Sequence, residues 1–531
     1  MNNGRICVSV CAKTADELIK QIKRAEEFAD VIEVRFDCLH KGEFHCDDPD
    51  QLEAVLTLVF ANDHKVPLIS TFRTKEQGGE RILTNEQRDN FWNMGFDHEW
   101  ADLEEDVIEE SFYWLWEKRI CSFHDFSGVP DNLEKIYNRL KATDADVVKI
   151  AIQAHDITDS IPLWKLLNKV KREKQRKLDS LKLWNLSEHA KADNNEIIPI
   201  AMGEAGKWTR ILGLAHGAFM TYASLESGSE TAPGQISAKD LIEVYRVKQL
   251  NENTSVYGII GGNTGYSVSP FIHNAAFKKC KLNSVFLPLQ VKNLDEFMRR
   301  MVKPATREVE LNFAGFSVTI PHKQTIIKHL DSMDETAKKI GAVNTVKIEN
   351  GKLYGFNTDA HGFIEPLKNA FGDLQNARVA VVGAGGAARA CIYALRQESA
   401  QVSIFVRDVS KAKQLGDDFS TEIRELGTGF ADFDIIVNAT PLGTKGTMEN
   451  ETIATAEQLE NVKLVYDLVY NPGETSLLQE ARKVNVKTIG GLEMLVAQGA
   501  KQFEIWTSMG APLEEMNSAV RNVCKYKRLQ I

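Results

Sequence analysis

The stretch Val31-Ile-Glu33-Val-Arg35-Phe-Asp37 puts charged side chains at alternate positions of a strand candidate, so all of them share one face. Turned into a barrel, such a face is either a buried ion-pair ladder or a polar site at the barrel mouth, since unpaired buried charge is costly. Lys149 stands in Val147-Val-Lys-Ile-Ala-Ile152, an otherwise apolar run. Burial disfavours an ammonium ion, which would free the amine to form an imine with a ketone; a strand-end lysine reaching solvent is the plainer alternative. His124 closes the preceding run, Cys121-Ser-Phe-His-Asp-Phe126. Consecutive barrel strands are neighbours, so His124 and Lys149 should meet at one mouth as a base beside a masked amine. Arg73, after Ser70-Thr-Phe, and Arg210, after Met202-Gly203, can each grip a carboxylate bidentately.

A second kind of chemistry lies further on. Gly383-Ala384-Gly385-Gly386-Ala387-Ala388 follows the apolar run Arg378–Val382 and precedes a helical pattern, the setting a dinucleotide pyrophosphate needs. Before it come Ser267-Val-Ser269-Pro, Ser317-Val-Thr319-Ile-Pro-His-Lys323, Gly341-Ala-Val-Asn344-Thr345 and Gly355-Phe-Asn357-Thr-Asp359. Each alone could be a turn or a cap. Together they offer a lysine and an aspartate from separate strand–loop junctions, which suits an acid–base pair.

The elements that must position these groups form two grammars. Strand candidates at Ile6–Val10, Val31–Phe36, Val66–Phe72, Trp100–Leu103, Ile120–Phe123, Val147–Ile152, Ile197–Met202 and Phe219–Ala223 alternate with helical stretches and lack a glycine-rich phosphate loop. That series predicts an α/β chain whose residues 1–240 form a (β/α)8 TIM barrel rather than a doubly wound sheet. A charged helical stretch, Lys239 to Asn251, is expected to link the halves. Residues 254–370 read as a substrate lobe, completed by helices at about 490–531, and residues 371–489 as a Rossmann domain with strands Arg378–Val382, Gln401–Val406, Asp434–Val437 and Val462–Asp467.

With 531 residues the chain exceeds the ~100–200 of one domain. Its 43% apolar and 26% charged residues are those of a globular protein. The net charge of −10 argues against nucleic acid or an anionic membrane as main partner, while leaving room for a small anionic substrate. No apolar run is long enough to span a bilayer. The first strand begins so soon after Met1 that no leader is expected, which implies a cytoplasmic protein. Eight scattered cysteines without a CxxC pair imply free thiols in a reducing compartment. The loop His40 to Asp48 holds His45 and Cys46 without ligand spacing, so no metal is expected. The basic run Lys169 to Lys177 lacks aromatics and reads as a solvated helix face. Oligomeric state is left open.

The first half resembles type I 3-dehydroquinate dehydratases. The resemblance is carried by Glu33-Val-Arg35-Phe-Asp37, Thr71-Phe-Arg73 with Gly78-Gly79, Phe123-His124-Asp125-Phe126, Val148-Lys149-Ile150, Met202-Gly203 with Gly206 and Arg210, and Thr231-Ala-Pro-Gly-Gln235. It implies that Lys149 forms the imine and that His124 moves the α-proton and helps the hydroxyl leave. Glu33, Arg35, Arg73, Arg210, Thr231 and Gln235 become substrate contacts, with Ser9 a weaker one. Where the family usually has an acid before the paired glycines, this chain has Gln77.

From about residue 255 the chain looks like shikimate dehydrogenase. That resemblance implies Lys323 and Asp359 as the catalytic pair, and Ser267, Ser269, Thr319, Asn344, Tyr470 and Gln498 as contacts to shikimate. The cofactor would run along Gly383, Ala384, Gly385, Gly386 and Ala387, then Arg407, Thr440, Leu468 and Gly491. Arg407 stands first past the strand Gln401–Val406 with Lys411 one turn on, and two cations there should outweigh Asp408, so NADP is expected over NAD. The expected protein joins dehydration of 3-dehydroquinate to NADPH-linked reduction of 3-dehydroshikimate. Its alternatives are an NAD-linked quinate/shikimate enzyme of catabolism and a non-catalytic metabolite sensor, the latter disfavoured because His124, Lys149, Lys323 and Asp359 are all present.

Overall fold

The computed structural model describes residues 2–42, 44–45, 47–60, 63–94, 100–108, 116–183 and 196–526. Cys46, in the loop weighed for metal, lies outside them. The chain divides into two compact units, Met1–Thr254 with Pro288–Leu311, and Ser255–Leu287 with Asn312–Ile531.

In the first unit the strand candidates all become strands: β1 (Arg5–Val10), β2 (Val31–Arg35), β3 (Leu68–Thr71), β4 (Trp100–Glu104), β5 (Lys118–Asp125), β6 (Val147–Gln153), β7 (Glu196–Met202) and β8 (Met220–Ser224). They form one 8-stranded parallel sheet in the order β7-β6-β5-β4-β3-β2-β1-β8. The Phe219 N–H donates to the Ile197 carbonyl at 2.9 Å, bringing the two edges together as a barrel. The period of two along each strand then sorts the interior into layers. Val31, Ile69, Trp100, Ile120, Val147 and Ile198 belong to one apolar cluster, the floor. Two residues further along, the same strands present Glu33, Thr71, Asp102, Ser122, Lys149 and Ile200. Alternation thus sets a charged layer directly on an apolar one.

Three expectations are corrected here. Strand β2 ends at Arg35, so Asp37 sits in the helical turn Phe36–Cys38 instead of continuing the strand face. Its carboxylate instead folds back onto the Arg35 guanidinium. The stretch Lys239 to Asn251 is no free charged helix: only Asp240–Val244 makes a helical turn, and Leu241, Tyr245, Val247 and Leu250 are buried. Cys11 and Cys38 are not free but joined as a disulfide, with Cα atoms 5.5 Å apart. They follow neighbouring parallel strands, a proximity that a sequence separation of 27 does not reveal.

The second unit holds two further sheets. One comprises β9 (Ser255–Gly261), β10 (Ser284–Gln290), β11 (Phe313–Val318), β12 (Ser332–Met333), β13 (Thr345–Glu349) and β14 (Lys352–Phe356), ordered β10-β9-β11-β13-β14-β12. The other is wholly parallel: β15 (Arg378–Val382), β16 (Gln401–Val406), β17 (Glu422–Glu425), β18 (Ile435–Asn438), β19 (Leu464–Asp467) and β20 (Lys487–Ile489), ordered β17-β16-β15-β18-β19-β20. Its order reverses between β15 and β18, the crevice where doubly wound sheets take their ligands. Gly362 of the helix Asp359–Phe371 lies so close to the helix Gly491–Thr507 that a Cβ there would sit 2.8 Å from the Gln498 backbone nitrogen. Among the described residues no helix is long and apolar enough to cross a membrane.

Candidate active sites

At the barrel mouth lies a cavity whose wall includes Glu33, Arg35, Arg73, His124, Lys149 and Arg210. Lys149 is 3% exposed. Its Nζ lies 2.7 Å from Asp102 Oδ2 and 3.5 Å from Glu33 Oε1. The amine expected to stand masked in an apolar strand therefore lies between two carboxylates. The same Asp102 oxygen is 2.8 Å from Arg73 Nη2. Burial alone would raise both carboxyls; Arg73 and Lys149 hold Asp102 well below the ordinary range, and Lys149, Arg35 and Arg73 lower Glu33.

His124 lies beside this pair because β5 and β6 are adjacent, with His124 in register with Ala151. Arg73 Nη1 donates to its Nε2 at 2.9 Å, while Nδ1 is buried with no partner. Burial, then Arg73 and Lys149, push the imidazole well below its usual value, so it stands as a neutral base. Gln77 keeps the loop polar: its Oε1 accepts the His124 backbone N–H at 3.3 Å.

Arg210 is different from the other cations. It is 2% exposed, donates only to the Tyr222 and Pro233 carbonyls at 3.3 and 3.4 Å, and has no carboxylate partner among the described residues. Burial lowers it to about 10. A buried, uncompensated guanidinium facing a cavity fits an anionic ligand. Gln235 and Thr231, bonded to each other at 3.1 Å, close the rim beside it. Ser9 is set back: its hydroxyl donates to Glu33 Oε2 at 2.5 Å, and it does not line the cavity.

In the second unit Lys323 Nζ and Asp359 Oδ2 are 2.5 Å apart. Asn344 Nδ2 holds the other Asp359 oxygen at 2.7 Å and also reaches Gln498 Oε1 at 3.4 Å. The Tyr470 phenol, pushed up by burial, hydrogen-bonds Ser267, whose Oγ accepts the Ser269 N–H at 3.2 Å. Thr319 packs against the Gly261 backbone. The stem of Lys323 abuts Gly386, where a Cβ would be 3.1 Å from Lys323 Cδ. The acid–base pair therefore sits at the start of the helix Gly386–Gln397, which follows β15.

These two sites match known families in order. Residues 6–178 and 174–252 match type I 3-dehydroquinase. Residues 259–346 match the shikimate dehydrogenase substrate binding domain. Residues 365–495 match shikimate / quinate 5-dehydrogenase, and 491–521 the shikimate 5'-dehydrogenase C-terminal domain. An Arabidopsis thaliana protein described as a chloroplastic bifunctional 3-dehydroquinate dehydratase/shikimate dehydrogenase is 32% identical, over 97% of this chain and 83% of that one. The chain belongs to the bifunctional 3-dehydroquinate dehydratase/shikimate dehydrogenase family. Its dehydrogenase half is 41% identical to the shikimate dehydrogenase (NADP(+)) of Methanocaldococcus jannaschii, over 51% of this chain and 98% of that one. A solved shikimate dehydrogenase in complex with NADP+ is 40% identical, covering 51% of this chain and 96% of that one with a TM-score of 0.48.

The dehydrogenase half has a cradle that fits a dinucleotide. Gly383 adopts φ +120°, closed to most side chains, and a Cβ there would meet the Ala439 carbonyl at 3.0 Å. Gly385 faces open space and caps the helix whose N–H groups point outward, as an anion requires. Past β16, Arg407 is exposed and makes no ion pair among the described residues. Asp408 does not compete freely. It is the N-cap of the helix Val409–Phe419, accepting Ser410 N–H at 3.0 Å and Ser410 Oγ at 2.5 Å. Lys411 is pinned to it at 3.5 Å rather than standing free beside Arg407. Thr440 follows β18 and bonds Asn438 at 2.6 Å, while Gly491 packs on the Leu468 carbonyl. This donor set, one free guanidinium and a capped acid, fits a 2′-phosphate better than a bare ribose.

Sequence reasoning missed Asp102, Tyr222 and Gln502. Asp102 lies in a short strand with no flanking motif, and the inward curvature of β4, β5 and β6 brings it across β5 to Lys149. Gln502 accepts from Ser317 Oγ at 2.7 Å and donates to the Asn344 carbonyl at 3.3 Å, bracing Asn344 at the entry to β13. Its position one turn beyond Gln498, on one helix face, was the available signal.

Proposed function

We propose that this chain dehydrates 3-dehydroquinate to 3-dehydroshikimate in its barrel and reduces that ketone to shikimate with NADPH in its second unit. The observation that carries the reading is the meeting of Lys149, neutral His124 and unpaired Arg210 in one cavity.

Arg210 takes the substrate carboxylate, and Glu33, Arg35, Arg73, Thr231 and Gln235 contact its ring substituents, with Ser9 acting through Glu33. Lys149, once deprotonated, attacks the ring ketone and expels its oxygen as water, leaving an iminium. His124 removes the α-proton, then returns it to the β-hydroxyl, which leaves as water. Hydrolysis of the product iminium restores Lys149.

In the second unit Ser267, Ser269, Thr319, Asn344, Tyr470 and Gln498 hold the substrate. Lys323 gives the ketone oxygen its proton, and Asp359 orients that lysine. NADPH, held by the Gly383–Ala387 turn, Arg407, Thr440, Leu468 and Gly491, supplies hydride when bound. The substrate lobe in this reading is 254–370 with about 490–531, and the Rossmann domain is 371–489. The NAD-linked catabolic reading is not favoured, because Asp408 is occupied as a helix cap. A cytoplasmic location is part of this reading, and cell fractionation tests it.

Purified protein given 3-dehydroquinate and NADPH should oxidise the nicotinamide, with shikimate as product. Borohydride added with 3-dehydroquinate should leave a substrate-sized adduct on the peptide containing Lys149. No absorbance change overturns the coupled activity, and an unmodified Lys149 overturns the imine.

A further inference from the structure

The Lys149 nitrogen has a third neighbour besides its two carboxylates. Its Nζ lies 4.0 Å from the centroid of the Tyr222 ring on β8. Both side chains line the dehydratase cavity, and both are buried, Tyr222 at 2% exposure. A cation held over an aromatic face is attracted by the ring's quadrupole, most strongly where water is excluded. Among the described residues the buried Tyr222 hydroxyl has no hydrogen-bond partner, so it is the ring and not the phenol oxygen that meets Lys149.

We propose that the Tyr222 ring is a further catalytic group of the dehydratase, its π face stabilising the positive charge that the Lys149 nitrogen carries as an iminium. The proposal rests on the imine reading above, and its force comes from counting N–H bonds. In the ammonium form the nitrogen has three N–H donors, enough for Asp102 at 2.7 Å and Glu33 at 3.5 Å. Imine formation makes a C–N double bond, and the carbonyl oxygen leaves as water after taking up two protons. The nitrogen keeps its charge but retains a single N–H. It can then serve one carboxylate by hydrogen bond, not both.

The attraction of the ring depends on charge and not on N–H count, so it survives the change undiminished. When His124 takes the α-proton, the electron pair moves to nitrogen and the enamine is neutral. The ring therefore favours the charged intermediates on either side of that enamine, where the electron sink is needed. Asp102 keeps Arg73 and Glu33 keeps Ser9 as hydrogen-bond donors, so both carboxylates stay in place and the ring face adds to their attraction.

The test varies the quadrupole while holding shape. In the full-length protein Tyr222 is replaced by phenylalanine and by its mono-, di- and trifluorinated forms, which weaken the negative ring face step by step. Iminium formation is followed in single turnovers by borohydride trapping on Lys149 with 3-dehydroquinate. Shikimate oxidation and the melting temperature of each preparation report intact folding. Relative to Tyr222→Phe, the trapping rate should fall progressively with each fluorine, by about 10-fold in all. A merely structural ring gives no such gradient, so equal rates across the series overturn the proposal. If the unmodified protein takes no adduct at Lys149, the imine reading fails and this inference falls with it. An adduct with a flat series removes only the role of Tyr222.

Discussion

Arg73 donates through Nη1 to Nε2 of His124 at 2.9 Å. A guanidinium cannot accept a hydrogen bond, so Nε2 carries the lone pair and the imidazole proton is on Nδ1. The base therefore keeps its lone pair on the nitrogen that Arg73 steers.

A pH dependence follows. Burial, then the charges of Arg73 and Lys149, hold His124 well below its usual value near 6.5. A lowered pKa keeps the imidazole neutral to lower pH, so the acid limb of the dehydratase profile should fall below about pH 6.5. Arg73→Gln removes one of those charges, and the limb should move toward higher pH. A pH–rate profile of kcat for both proteins checks this; an unmoved limb would show that Arg73 does not govern the titration.

Arg210 should trade stability for binding. Its guanidinium is lowered from 12.5 to about 10 by burial, a cost of the order of 3 kcal/mol to the empty protein. Arg210→Met should thus raise the melting temperature, by less than that cost because the Tyr222 and Pro233 carbonyls lose their donor. The same variant should lose dehydratase activity while retaining shikimate oxidation. Calorimetry showing a large destabilisation would contradict the unpaired-charge argument.

The two acid–base sets should be separable by mutation. Lys323→Ala or Asp359→Ala should lower shikimate oxidation about 10²–10⁴-fold with little change in dehydration. Lys149→Ala should do the reverse and abolish the dehydratase. Parallel assays on each variant decide it, and simultaneous loss of both activities in a stably folded variant would refute independence.

Cofactor choice turns on Arg407 and Asp408. Arg407→Ala should raise KM for NADP far more than KM for NAD. Asp408→Thr should sharpen NADP preference without unfolding, since threonine can still cap the helix at Val409. Asp408→Ala, which lacks a capping oxygen, should cost about 1 kcal/mol of stability. Higher efficiency with NAD than NADP in the unmodified protein would favour the catabolic alternative.

Much of this was legible in residue order, for reasons that particular residues make plain. A period of two puts Glu33 and Arg35 on one face, and the adjacency of consecutive parallel strands puts His124 beside Lys149. A glycine run between an apolar strand and a helix marks a phosphate cradle, because local backbone geometry demands those glycines. Each of these inferences uses neighbours within one element or one βα unit. What the assembled, curved sheet decides was not legible. Asp102 reaches Lys149 across two strand positions, Tyr222 approaches the same nitrogen from β8, and Cys11 finds Cys38 across β1 and β2. Nor could the order of residues show that Arg210 has no carboxylate partner among the described residues or that Asp408 is spent on a helix cap. Periodicity and local backbone preference determined the elements and the reacting groups; the charge state and partners of those groups depend on distances that exist only once the strands are assembled.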